Sequence, residues 1–507
     1  MKRDFKQITK DIALKGFFSE YLPPCFQLDA KVLKNSPSEN CDLIKPYCFT
    51  MSRFNETNGR RNIYIPEIGS YIVAHNYIKD NNIIEEIINF TEETEISFSP
   101  ILGPDGSIMT HEQSYDIGEA PFDDETDYSL YMENICKKLI ESRGCTKILK
   151  LDISNCFASF YMHMIPTIIM GYEAADAEYK KSLSIPKEDL NTLDTKYLKY
   201  QKLDKILRRQ NLNQTNGLLV GTLYSKIIIE GILSRIDRDL LSSGIKFSRY
   251  VDDYEVYIFD KTVDEVISIF EKSLKQYGFS LNFEKKETLD PPFYIVENLR
   301  KLFKDLSNKE LTSYELIKLF NTFLVLEKDG TKGATRYLLK SIETQSIDTK
   351  NTELYKSYLL SILSNDGRSL IKACHLLLSE ENLELNDDDV ALIIDKINYY
   401  IKCNYDLEVV WLIFLLVESG KIKKDTEVVK NVCFSSNELA HVILLRNNLL
   451  SIENLNIVVS KAKSWILNYE LFAMSNIDEE EFFERMNIKE NSKMYSKFKR
   501  NKIHFII

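Results

Sequence analysis

Asp252 and Asp253 stand side by side in the run Ser248-Arg249-Tyr250-Val251-Asp252-Asp253-Tyr254-Glu255. Asp is a poor strand former, and neighbouring carboxylates repel each other. Yet β-branched and aromatic residues flank the pair on both sides, which predicts a hairpin around the acids. A divalent cation would offset their repulsion. A turn open to water is the plainer alternative, and the apolar flanks speak against it. A third acid, Asp152, closes an alternating segment in Leu151-Asp152-Ile153-Ser154-Asn155-Cys156-Phe157. By itself it reads better as the cap of a following helix. Lys285 follows the short segment 279–283. A lysine there could meet a departing pyrophosphate, or simply face water. Taken together, carboxylates on a rigid sheet are the hard oxygen ligands that Mg²⁺ favours. Two such ions clamp the attacking and leaving oxygens of a nucleotidyl transfer. The protein then supplies mainly position and charge compensation.

These residues need elements to hold them. Segment 147–153 alternates as a strand should, and 247–259 holds two strands' worth of β-formers. The spacing predicts a helix over 70–90 and a polar, Lys-rich helical stretch over 187–210. A further helix is expected over 217–236, entered through Gly217 and Gly221, and an amphipathic one over 263–277, closed by Gly278. A strand is expected over 279–283, and a short basic strand over 60–66, ending at Pro66. The order strand, helix, hairpin, helix, strand describes an α+β unit. After about residue 300 the β signal fades. Apolar stripes predict helices over 314–326, 355–363, 369–378, 389–401, 407–418, 437–446 and 460–474. Successive short helices with polar linkers predict an α-solenoid of HEAT-like type, although no sequence repeat stands out. The expected division is 1–145, 146–300 and 301–507.

The bulk numbers narrow the class. With 507 residues, 44% hydrophobic and 28% charged, the chain has a globular composition and room for several domains. A net charge of −11 argues against nonspecific coating of nucleic acid and lowers the expectation of a long duplex gripped along the surface. Nine scattered cysteines without a Cys-x-x-Cys pair, and six His without ligand spacing, predict reduced thiols and no structural zinc. The start of the sequence has no apolar signal region, and the longest apolar run, 409–417, is too short to cross a bilayer. A soluble cytoplasmic protein with no membrane contact is expected. His163, alone on its segment, is expected to be structural.

At this point the motifs resemble those of reverse transcriptases. The segment from Asp152 to Phe157 resembles motif A. Tyr250-Val251-Asp252-Asp253 resembles the Tyr-x-Asp-Asp box of motif C, the most specific signal in the chain. Asn216-Gly217-Leu218-Leu219-Val220-Gly221 is similar to motif B, and Leu281-Asn282-Phe283-Glu284-Lys285 to motif D. Arg61-Asn62-Ile63-Tyr64-Ile65-Pro66 resembles the fingers motif whose arginine touches the incoming triphosphate. Order and spacing agree across all five. Arg60-Arg61, Ser70-Tyr71, Asn76-Tyr77-Ile78, Tyr161-Met162-His163-Met164-Ile165-Pro166 and Ser248-Arg249 narrow the likeness to bacterial abortive-infection reverse transcriptases of the P2-prophage type.

That resemblance implies a fingers–palm domain over roughly 50–290 and an all-helical C-terminal domain. It implies anti-phage DNA synthesis that needs no template and starts on a protein hydroxyl. The implied metal ligands are Asp152, Ile153, Asp252 and Asp253, holding two Mg²⁺ ions, with Mn²⁺ as an alternative. The implied nucleotide contacts are Arg61, Phe157, Asn216, Gly217 and Lys285, with Arg53 a weaker candidate. Phe157 would be the gate against a ribose 2′-hydroxyl. The partners are dNTPs and a single-stranded DNA product attached to the protein, in a homo-oligomer. None of the 28 Tyr is singled out for priming, and Tyr21 and Tyr47 are weak guesses. An RNA-copying, retron-like enzyme and a non-catalytic scaffold are the alternatives. The pattern also departs from the family. Motif B lacks the usual Gln before Gly217 and the Ser-Pro pair, and no thumb is recognisable after motif D.

Overall fold

A computed structural model describes residues 3–52, 59–94, 96–103, 106–109, 130–290, 299–307, 309–380 and 382–506. Its centre is a four-stranded antiparallel sheet of strand order β4-β5-β3-β6. Here β3 is Lys147–Asp152, β4 Lys246–Tyr250, β5 Asp253–Ile258 and β6 Glu287–Leu289. The alternation of 147–153 does form β3, with Ile148, Leu149 and Leu151 buried. The hairpin expected over 247–259 is β4–β5, and Asp152 pairs with Asp253 across the sheet.

Two helices, α9 (Leu223–Ser242) and α10 (Val263–Gln276), pack together beside this sheet. Phe270 of α10 meets Phe247 and Tyr254 edge-on. Thr262 and Glu265 form a capping box at the start of α10, and Gly278 takes φ +81 at its end, as the sequence predicts.

Four expectations need correction. The helix foreseen over 70–90 is two helices, α2 (Ile68–Asp80) and α3 (Ile83–Glu92). Asn82 takes a left-handed φ of +52 between them, which Asn tolerates, so the chain turns a corner. Ile84, Ile87 and Ile88 are thereby buried in α3, which lies on α9. The stretch 187–210 is a 3₁₀ turn after Pro186 followed by α8 (Thr195–Gln210), capped by Asp194. The helix foreseen over 217–236 starts only at Leu223, behind its cap Thr222. Gly217 and Gly221 lie in the preceding loop at φ +87 and +120. Segment 279–283 is not a strand. It makes one bridge, between Leu281 and Ile153, and then turns. The bridge's two bonds run from Asn282 N–H to Asp152 O at 2.7 Å and from Ser154 N–H to Ser280 O at 2.9 Å, and pairing stops there because Phe283–Lys285 wind into a 3₁₀ turn.

A second hairpin pairs β1 (Tyr47–Met51) with β2 (Arg61–Ile65). It runs into α2, whose cap is Glu67.

From residue 299 the described chain is helical. After α11 (Leu299–Ser307), an outer row holds α12 (Ser313–Lys328), α14 (Thr352–Asn365), α16 (Asp387–Cys403), α18 (Glu427–Phe434) and α20 (Ile452–Lys461). An inner row holds α13 (Ala334–Gln345), α15 (Leu370–Ser379), α17 (Asp406–Glu418), α19 (Glu438–Arg446) and α21 (Trp465–Ala473). Each helix touches the next of its own row. That is solenoid stacking, as expected. The helix foreseen over 460–474 is split between the rows, because Ser464 caps α21. Helices α17, α19 and α21 are buried nearly all round, since the inner row packs on the rest of the molecule. Trp411 Nε1 donates to Tyr21 O at 2.7 Å, and Trp465 Nε1 to Ile65 O at 3.3 Å. Two last helices, α22 (Glu479–Met486) and α23 (Ser492–Arg500), close the array. Asp42 caps the segment before α23 by accepting from the N–H groups of Lys489 and Glu490 at 3.0 Å each. Phe26 and Ile506 form a bridge. One apolar core therefore runs from sheet to solenoid. No described helix is long and apolar enough to cross a membrane.

Candidate active site

Asp152 is the last residue of β3 and Asp253 the first of β5, so sheet pairing sets them opposite each other. Asp252 sits in the two-residue turn between β4 and β5. Carboxylate oxygens of all three lie within 4.8 Å of one another. Asp152 is 4% exposed, Asp252 half-buried, and Asp253 exposed. Asp152 is not the cap of the next helix. Its Oδ2 accepts from Asn282 Nδ2 at 3.0 Å and its Oδ1 from Lys285 Nζ at 2.7 Å.

The electrostatics fit a cation site. Burial, and then Asp152, raise the Asp252 carboxyl above the usual range, while Lys285 and Arg61 draw it down. Asp253 shows surface to water, but protein crowds its carboxyl. That crowding and the other two acids push it up to about 7. Burial pulls Lys285 down, but its hydrogen bond and charge pairing with Asp152 outweigh this, and it stands above the usual lysine value. Three converging carboxylates with one lysine in contact and Arg61 farther off are under-compensated. A divalent ion would supply the missing charge, and the donor set is all oxygen, as Mg²⁺ requires.

The turn is held under strain. Val251 takes φ +51, rare for a β-branched residue. Its N–H donates to Ser99 Oγ and its carbonyl accepts from Arg249 Nη1, both at 2.9 Å. Arg249 is itself buried in a cage from α9. Its Nε donates to Asp237 Oδ2 at 2.9 Å and its Nη2 to Glu230 Oε1 at 2.8 Å. Burial pushes Asp237 up to about 6 against the pull of the guanidinium. Sequence reasoning missed this cage. The signal was there: Glu230 and Asp237 are seven apart on an apolar helix, so both acids face inward.

The loop before α9 ties the site together. Gly217 N–H donates to Phe160 O at 2.8 Å, and Leu218 N–H to Phe157 O at 3.0 Å. Gly217 approaches so closely that a Cβ there would come within 3.2 Å of Ala158 O. Further on, Val220 O accepts from Tyr64 N–H at 2.7 Å. A Cβ on Gly221 would fall 2.7 Å from Ile63 Cγ2. The two glycines thus seat the loop between β2 and α5 (Cys156–Ser159).

Of the residues singled out from sequence, Asp152, Asp252, Asp253 and Lys285 converge directly. Arg61 is exposed on β2, close enough for its charge to act on Asp252. Phe157 is half-buried against the core, Asn216 is exposed and bridged to Tyr161, and the Ile153 side chain is core. Arg53 lies outside the described residues. His163 Nδ1 sits 2.8 Å from the buried Asp204, which suits a structural role.

Residues 116–296 match the family model described as reverse transcriptase (RNA-dependent DNA polymerase). The chain carries a reverse transcriptase domain. Among solved structures it is similar to telomerase from Candida albicans in complex with a TWJ fragment of telomeric RNA, at 14% identity and a TM-score of 0.30, over 76% of this chain and 67% of that one. It is also similar to apo telomerase from Candida tropicalis, at 11% identity and a TM-score of 0.31, over 89% of this chain and 69% of that one. No curated protein matches.

Proposed function

We propose that the chain is a reverse-transcriptase-type DNA polymerase of abortive infection, extending a strand without a template from a hydroxyl of its own polypeptide. It is divided into an N-terminal and fingers region (1–145), a palm (146–300) and a helical domain (301–507). The polymerase reading rests on one observation, the convergence of Asp152, Asp252, Asp253 and Lys285 at one end of the palm sheet. The narrower reading draws support from the motif resemblance and from the net charge of −11.

In this reading a hydroxyl oxygen gives up its proton to solvent and attacks the α-phosphorus of a dNTP. A new P–O bond forms, the bond to the β-phosphate oxygen breaks, and pyrophosphate leaves. Asp152, Asp252 and Asp253, with Ile153 beside them, would hold two Mg²⁺ or Mn²⁺ ions, which supply charge compensation at the attacking and leaving oxygens. Arg61 grips triphosphate oxygens in the bidentate manner of a guanidinium. Phe157 closes the space beside C2′. Asn216 and Gly217 line the nucleotide, and Gly217 lets backbone approach closely. Lys285, now paired with Asp152, is placed to meet the departing pyrophosphate.

A polymerase that grips little duplex must hold its growing end otherwise. A covalent tether keeps the 3′ end at high effective concentration. A tyrosine suits as acceptor, because a phenol is a good nucleophile once deprotonated. Burial, Glu438 and Asp406 push the Tyr47 phenol well above its ordinary value, which speaks against Tyr47.

The deciding experiment incubates purified protein with labelled dNTPs and Mg²⁺, adds no template, denatures the protein and runs a gel. Label that travels with protein and is released by nuclease is expected. Label wholly in free DNA rules out the tether. The matched family is described as RNA-dependent, which favours a second reading of template copying; primer extension on an RNA template tests it. In bacteria, expression should protect against some phage and Asp152→Ala should not. Equal protection by both would mean a scaffold. The reading includes a cytoplasmic homo-oligomer.

A further inference from the structure

We propose that the helical array is part of the nucleotide site, with Asp406 and Glu408 in the first turn of α17 as positioning residues for Arg61. The inference rests on the reading of Arg61 as a triphosphate ligand.

The contacts converge on Arg61's immediate neighbours. Across the hairpin, Met51 pairs with Arg61 and Thr50 with Asn62. Thr50 N–H donates to Asp406 Oδ2 at 2.8 Å. Thr50 Oγ1 reaches the same Oδ2 at 3.0 Å and Asn404 O at 3.1 Å. Arg60, one residue before Arg61, pairs with Glu408 and lies over the Tyr405 ring, its Cζ 3.9 Å from the centroid. Arg60 Nε also donates to Thr50 Oγ1 at 3.2 Å. In extended chain successive side chains point to opposite faces. An Arg60 anchored in the array therefore turns Arg61 the other way.

From the palm side the same hairpin is fixed by Tyr64 N–H on Val220 O at 2.7 Å. Strand β2 is thus held between the palm loop and the array, and neither alone sets its tilt. Simple adhesion does not account for the chemistry on the array side. The Glu408 side chain is 3% exposed and Arg60 19%, with Asp406 next to them. Burying the Glu408 carboxylate against a guanidinium, with the half-buried Asp406 beside it, is costly, and apolar residues of the same volume would dock two surfaces as well or better. Directional bonds are worth that cost where an angle must be set. Gly367, between α14 and α15, completes the enclosure, since a Cβ there would stand 3.1 Å from Glu408 Oε1.

The test uses the full chain with Glu408→Gln, Arg60→Gln and the double substitution. Incorporation of dATP is measured with Mg²⁺, and dATP binding is measured separately by equilibrium dialysis. kcat/KM should fall roughly tenfold to a hundredfold, as expected of a misplaced group remote from the chemistry, with the loss in KM and in the dialysis Kd rather than in kcat. The double variant should be no worse than the poorer single one, because the two residues act as a unit. Should either single variant fail to fold, Thr50→Val removes the hydroxyl that joins Asp406, Asn404 and Arg60, and should show the same KM-weighted loss. Folded variants that keep the wild-type KM and Kd, with only a lowered melting temperature, overturn the proposal. A wild-type protein that neither binds nor incorporates dATP overturns the polymerase reading, and the positioning role falls with it.

Discussion

Asp252→Asn should abolish nucleotide incorporation and yet stabilise the metal-free protein. The three carboxylates hold oxygens within 4.8 Å of one another, so at an effective dielectric near 20 the Asp152–Asp252 repulsion is at least about 3.5 kcal/mol. Lys285 at 2.7 Å from Asp152 Oδ1 offsets part of that. A net gain of about 1–2 kcal/mol remains for the neutral amide. The amide has the shape of the carboxylate it replaces, so the turn is kept and the strain at Val251 is unaffected. Melting without metal should move up by roughly 1–3 °C, on the scale expected for a large domain. Mg²⁺ should stabilise the wild type by relieving the same repulsion, and the variant much less. Calorimetry with and without Mg²⁺, beside a dNTP incorporation assay, reads all of this. A folded variant that polymerises like wild type, or a wild type indifferent to Mg²⁺, would refute the site.

Three further outcomes follow from the same geometry. Phe157→Ala should admit rATP alongside dATP by removing the ring beside C2′, and an unchanged preference in an active variant would make Phe157 ordinary core. Gly221→Ala must fit a Cβ 2.7 Å from Ile63 Cγ2 at φ +120, so it should cost about 2–4 kcal/mol in denaturant melts. His75 and His441 are buried and held neutral, each lowered from 6.5 to about 4 by burial. The unfolded chain binds those protons and the folded chain does not. Stability should therefore be full above pH 6.5 and fall as pH drops toward 4, by on the order of 3 kcal/mol per histidine. His75→Phe should flatten part of that slope in urea titrations at pH 5 and 7.

The acids were legible because they break a local rule. A carboxylate pair between β-formers is unfavourable without a ligand, so sequence alone marked Asp252 and Asp253. Three outer helices (α12, α14, α16) and four inner ones (α15, α17, α19, α21) were legible from their apolar stripes. The rest of the array was harder. Helices α13, α18, α22 and α23 were missed, and the helix foreseen over 460–474 took in only the end of α20, because short helices give few turns from which to read a period. Gly217 and Gly221 were placed inside a helix by apolar spacing alone. Their positive φ comes from close approach to Ala158 and Ile63, which is tertiary information. The Arg249 cage and the clamp on Arg60 join residues far apart in the chain. Only the pairing of unlike charges in apolar runs hinted at the first, and nothing local hinted at the second.

The bridge between Phe26 and Ile506, with Gln27 N–H on Phe505 O at 3.3 Å, bears on how the molecule is made. A nascent chain grows at about 5–20 residues per second. The segment around Phe26 therefore emerges from the ribosome at least about twenty seconds before its partner exists. Throughout that interval the faces of Phe17 and Phe18 that later meet Trp465 and Phe505 stay uncovered. The packing around Phe17 and Phe18 can thus be finished only once Phe505 and Ile506 have been made, and a ribosome stalled before α21 would leave it exposed to chaperones and proteases.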